Sequence, residues 1–157
     1  MNRVTPISAE WMVSSTEREL DIDDDQDGTL RVSFLGYFGR TLNDGEITDK
    51  YQDVNIEFIG VKEYRHFPDY SSEDGERLDS YDWAPVPEFR DKEGSLARHG
   101  ETFHKVWSET GLCPDPAVYE IVDSNWVSEF GNNRSVKHYL VLGGDYNLEI
   151  IAEGIRI

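Results

Sequence analysis

The sequence predicts an α+β fold, mainly antiparallel β-sheet with one or two short helices and a long irregular loop. Three observations lead there. Apolar and polar residues alternate through 29–38, where Leu30, Val32 and Phe34 oppose Arg31 and Ser33, and again near 53–63. Two more apolar runs, 136–142 and 146–152, flank Gly143-Gly144-Asp145, a hairpin turn by its residue types. Helical spacing is confined to short stretches. At 157 residues one domain over 1–157 is expected, and 38% hydrophobic with 12% aromatic residues is the composition of a folded chain.

Each element follows from local pattern. Trp11-Met12-Val13 and Glu19-Leu20-Asp21-Ile22 are expected to partner 29–38, forming a hairpin near 20–38 with the acidic cluster as its loop. The strand near 53–63 turns Val54, Ile56 and Phe58 to one side, Asn55 and Glu57 to the other. From 65 to 100, Pro68, Pro85, Pro87, Gly75 and Gly94 interrupt any periodic element. That long loop carries Phe67, Tyr70, Tyr81, Trp83 and Phe89 just after Tyr64, so much of it should pack on the body. A short helix or strand at 102–110 holds Phe103, Val106 and Trp107, and the prolines of 111–116 make a turn. A strand at 117–122 and one helical turn from the Ser124 N-cap to Gly131 precede the C-terminal hairpin, 135–153.

Charge narrows the partners. The chain carries −17, with 23 acidic against 11 basic residues in 1–100 and 9 against 4 in 101–157. Nucleic acid and anionic membranes repel such a chain; a cation or a basic protein is attracted. The first residues lack the apolar core of a secretory signal, no run approaches the roughly 20 apolar residues of a membrane span, and Cys113 is the only cysteine. A cytoplasmic protein is the expectation.

The densest charge lies in Asp21-Ile22-Asp23-Asp24-Asp25-Gln26-Asp27-Gly28, where five carboxylates fall within seven residues. Asp23-x-Asp25-x-Asp27-Gly28 matches the first half of an EF-hand calcium loop, but Phe34 stands at the twelfth position in place of the closing glutamate. A different cation site, aided by Glu19 or Asp21, is one alternative. A small enzyme around Cys113, His104 or His138 is another. His99, His104 and Cys113 fit no metal-ligand spacing, and Cys113 sits in a turn without a helix N-terminus to activate it. His138 alternates with Val136, Leu140 and Leu142 as a core residue does; Asp145 and Glu149 are near enough in sequence to pair with it, though Asp145 also suits the turn. Gly143-Gly144 makes no phosphate cradle. No catalytic residue and no cofactor is assigned.

The broader constellation interleaves Tyr64, Tyr70, Tyr81, Trp83 and Phe89 with Asp69, Glu73, Asp74, Glu76, Asp79, Asp82 and Glu88. Aromatic anchors carry much of the energy of protein interfaces, and surrounding carboxylates steer a basic partner. The residues expected to bind are Asp23, Asp25, Asp27, Tyr70, Asp79, Tyr81, Asp82 and Trp83. The sequences 113–120 and 137–145 resemble a pattern of small uncharacterised bacterial proteins to which no activity attaches. In size, acidity and interleaved rings and acids, the whole chain resembles bacterial immunity proteins. That resemblance implies a non-catalytic inhibitor of a basic toxin or nucleic-acid-binding protein, with nucleic-acid mimicry as a special case.

Overall fold

Among the described residues, ten strands, all paired antiparallel, form two sheets whose apolar faces meet. The computed structural model describes residues 2–14, 19–25, 27–68, 78–90, 92–94, 100–130, 135–144 and 146–157. Tyr70, His99, Gly131 and Asp145 lie outside them, as do Asp69, Glu73, Asp74 and Glu76. The first sheet runs β1 (Arg3–Pro6), β7 (Val118–Val122), β8 (Lys137–Leu142), β9 (Tyr146–Ala152), β6 (Glu63–Pro68). The second runs β10 (Gly154–Arg156), β5 (Glu46–Ile59), β4 (Thr29–Asn43), β2 (Met12–Val13), and β3 (Asp21–Asp24) also pairs with β4. Two short helices, α1 (Glu101–Thr110) and α2 (Asn125–Ser128), complete the described structure.

Period-two alternation decides what each sheet buries. Leu30, Val32 and Phe34 of β4 and Val54, Ile56 and Phe58 of β5 point inward. They meet Val118, Tyr139, Val141, Leu148, Ile150 and Ala152 from the opposite sheet. The first sheet is covered on its other face too: Tyr119, Ile121 and Leu140 pack beneath Leu78, Tyr81, Trp83 and Val86. This is why β8 and β9 read as nearly unbroken apolar runs.

Helix α1 lies on the outward side of β4. Phe103 and Trp107, one turn apart, bury themselves against Met12, Tyr37 and Cys113. The helix ends at Gly111, whose φ of 74° allows its N–H to bond the Trp107 carbonyl. Ser124 caps α2 by accepting from the Val127 N–H at 3.3 Å, as its residue type predicts.

Several boundaries differ from expectation. β4 extends to Asn43 and β5 begins at Glu46, because Asp44 (φ 52°) and Gly45 (φ 81°) form a two-residue hairpin turn of the I′ kind. The strand expected at 53–63 therefore ends earlier, at Ile59, and β6 occupies Glu63–Pro68, the start of the region expected to be irregular. The acidic cluster is also less of a loop than expected. Asp21–Asp24 are strand, each paired with a β4 residue from Ser33 to Leu30, while Met12–Val13 pair separately with β4.

Candidate functional site

Sheet parity brings the acidic residues together. β5 keeps an unbroken alternation from the hairpin turn to its end, so Ile47, Asp49, Tyr51, Asp53, Asn55 and Glu57 share its outward face. On the neighbouring strands Asp21 and Asp23 stand across from Ser33 and Arg31, in register with Asn55 and Glu57. Glu19, Asp21 and Asp53 thereby line one open groove of about 420 Å³ with Ser33 and Asn55 on its floor. Among the described residues no cation pairs with any of these three carboxylates. One row away, compensation is present: Glu57 bonds Arg156 at 2.7 Å and lies 3.8 Å from Arg31. Those guanidiniums, Arg156 first, hold its carboxyl below the usual range.

The turn at Asp25–Gly28 is held by its own backbone. Asp25 Oδ1 accepts the N–H of Asp27 at 3.0 Å and of Thr29 at 3.3 Å, and Gly28 takes φ 84°. Asp23 lies 3.8 Å from Arg31, and the Tyr64 hydroxyl donates to Asp24 at 3.4 Å. Phe34, at the position where an EF-hand would close, is in the core with 5% exposure. No group of three or more His, Cys, Asp or Glu arranged to hold a metal ion occurs among the described residues.

Beyond this groove β4 and β5 leave the body as an arm, with every residue from 40 to 53 exposed. Its root is braced. Tyr37 donates to Asp49 at 2.7 Å, Arg40 to the same carboxylate at 3.3 Å, and the Tyr37 and Tyr51 rings lie 5.1 Å apart. Burial, then Asp49, raises the Tyr37 hydroxyl pKa to about 12, while the Tyr37 bond lowers that of Asp49. A bulge in β4 between Tyr37 and Arg40 re-aims the ribbon, with Gly39 at φ 94° beneath Trp107. At the end stand Leu42 and Ile47, direct register partners exposed by 71% and 65%.

The 78–90 segment packs onto the body, as its rings led us to expect. Trp83 sets its indole N–H on the Leu78 carbonyl at 2.7 Å and its ring edge-on to Tyr119. Tyr81 donates to Glu149. These two expected anchors thus spend much of their surface on internal contacts. Asp79 and Asp82 remain exposed, with Asp82 accepting the Ala84 N–H at 3.0 Å.

Under Tyr81 lies a buried polar cluster that sequence reasoning did not assemble. Glu149 has no exposed side-chain surface, yet Arg65 Nε donates to it at 2.8 Å and His138 Nε2 stands 3.7 Å away. Burial pushes its carboxyl up, but His138, Tyr81 and Arg65 outweigh that and hold the pKa at about 2. His138 Nδ1 lies 2.7 Å from Ser124 Oγ, and Arg65 stacks on Trp126 at 3.9 Å. A shallow cleft of about 250 Å³ opens above, lined by Arg65, Tyr81, Ser124, Trp126 and His138 among others. Serine, histidine and carboxylate occur in the order of a hydrolase relay, but the contacts are those of a brace. Ser124 is engaged as a helix cap, and the carboxylate is filled by arginine and tyrosine while the imidazole stays beyond hydrogen-bond range.

The remaining candidates are not brought together. Cys113 is 4% exposed within the α1 cluster, and His104 stacks on Trp107 there, whereas His138 belongs to the opposite sheet. No helix among the described residues is long and apolar enough to cross a membrane. No family model matches the chain, and neither a curated protein nor a solved structure does.

Proposed function

We propose that this chain is a non-catalytic acidic binding protein that neutralises a basic protein, acting as an immunity protein does when it occludes a toxin. One observation carries the reading: Glu19, Asp21 and Asp53 converge on a single solvent-facing groove and find no cation among the described residues. Like charges gathered on one groove repel one another, which raises the free energy of the unbound state. A lysine or arginine side chain from a partner relieves that repulsion and donates to the side-chain oxygens of Ser33 and Asn55. The net charge of −17 adds long-range attraction, which speeds capture. Asp23, Asp25 and Asp27 border the same sheet, while Asp79 and Asp82 extend the acidic surface elsewhere.

The test uses the proteins encoded on either side of this chain's own gene. Each is expressed alone and together with this chain in a bacterial host. One of them should be basic and toxic, with growth restored by co-expression. Asp21→Lys with Asp53→Lys should slow association with that protein at least tenfold at low salt, and Asp79→Lys with Asp82→Lys should slow it less. Absence of any neutralised neighbour, or binding indifferent to salt and to all four changes, overturns the reading.

A further inference from the structure

A two-stranded ribbon is marginally stable by itself, and the side-chain bracing of this one is concentrated near the root, with Thr41 Oγ1 donating to the Thr48 carbonyl at 3.4 Å a step further out. Tyr37, Arg40 and Asp49 lock it to the body, and Lys50 lies 5.4 Å over the Phe38 ring. At the far end, where polar residues cost least, it displays Leu42 beside Ile47, with Tyr51 (42% exposed) on the same face. Parity puts that apolar end and Asp53 of the acidic groove on one side of β5, six residues or roughly 20 Å apart. Asp44 and Glu46 in and beside the turn, like Asp53, meet no cation among the described residues. The two basic residues of the arm are already engaged, Arg40 with Asp49 and Lys50 over Phe38.

An apolar centre with a polar rim is the anatomy of an interface core, here presented on a pre-formed finger. We propose that the β4–β5 arm is the inserting element of the interface: Leu42 and Ile47 enter an apolar recess of a basic protein, whose rim cations pair with Asp44, Glu46 and Asp53. The inference rests on the proposed function and names its contact, moving the anchors from Tyr81 and Trp83 to the arm. Charge complementarity selects this occupant. A second copy would bring a second set of uncompensated carboxylates and another −17 to the same surface.

The test compares wild type with Leu42→Ser/Ile47→Thr, using as probe the neighbouring gene product that the wild type neutralises. Both side chains are exposed, so the variant should melt with the wild type. Its Kd for the probe should rise about 100-fold, tenfold for each anchor lost. An unchanged Kd, while Asp21→Lys/Asp53→Lys still weakens binding, overturns the arm and leaves the functional reading standing. If no neighbouring product is neutralised, both fall. Sedimentation velocity of the free chain supplies the last arm: a dimer that the double variant loses assigns the ribbon to a second copy and overturns the basic recess.

Discussion

Glu149 is the residue on which the first sheet's outer layer depends. It sits between Leu148 and Ile150, both fully buried, and accepts hydrogen bonds from two separated parts of the chain, Arg65 of β6 and Tyr81, with His138 of β8 standing 3.7 Å away. Its folded pKa of about 2 lies below the unbound carboxyl value of 4.5, so it contributes stability above that value. The contribution, about 3 kcal/mol, is lost as pH falls from 4.5 toward 2. Acid unfolding of the wild type should therefore be steep in that window. Glu149→Gln, followed by denaturant titration at pH 7 and at pH 3, should lower stability by roughly 3 kcal/mol at neutral pH and by much less in acid. An equal loss at both pH values would show that the carboxylate charge is not what the cluster uses.

Elements were legible wherever one face is wet and the other dry. The alternation of 29–38 and 53–59, the C-terminal hairpin and the Ser124 cap all stand out because each obeys a local rule. The arm did not announce itself by alternation, since both of its faces meet solvent and Thr41, Thr48 and Lys50 share it with Leu42 and Ile47. Its one local signal is the Asp44-Gly45 dipeptide, residue types that tolerate the two positive φ angles of this turn. The acidic groove was half legible: the cluster of aspartates was plain, but Asp53, thirty-two residues from Asp21, joins it only through strand register. The nearness of Glu149 to His138 is legible in the sequence, but its hydrogen-bond partners Arg65 and Tyr81 are not, because they lie far off in sequence. At this scale the turn itself is testable. Gly45→Ala at φ 81° should cost about 1 kcal/mol, and amide exchange at Thr41 and Thr48 should quicken roughly fivefold while the sheet core is unaffected. Unaltered exchange there would mean that the root, rather than the turn, holds the ribbon together.

Across the whole molecule, charge and packing work against each other. Two sheets sharing one apolar core supply the cohesion, and a surface at −17 opposes it through self-repulsion. Among the described residues, several of the ion pairs that partly offset this are exposed ones such as Arg3–Asp123 and Lys62–Glu153, each worth little. Raising sodium chloride from about 0.05 to 0.5 M shortens the screening length to a few ångströms. The melting temperature should then climb by about 3 °C, which for a chain of this size corresponds to roughly 1 kcal/mol. A melting temperature that falls with salt would mean that attraction between charges outweighs repulsion in the folded state.

The bulge sits in β4 alone, and this gives the two strands of the ribbon unequal parts. β4 absorbs the irregularity and sets the direction; β5 is a ruler, with a mark on the outward side at every second residue. Lengthening that ruler by one residue between Tyr51 and Asp53 would send Ile47 to the opposite side from the groove, with the composition almost untouched. Lengthening it by two would restore the side and shift the reach by about 7 Å. Spacing in this segment is therefore quantised: its length can change only in pairs of residues if the anchor and the groove are to stay on one side.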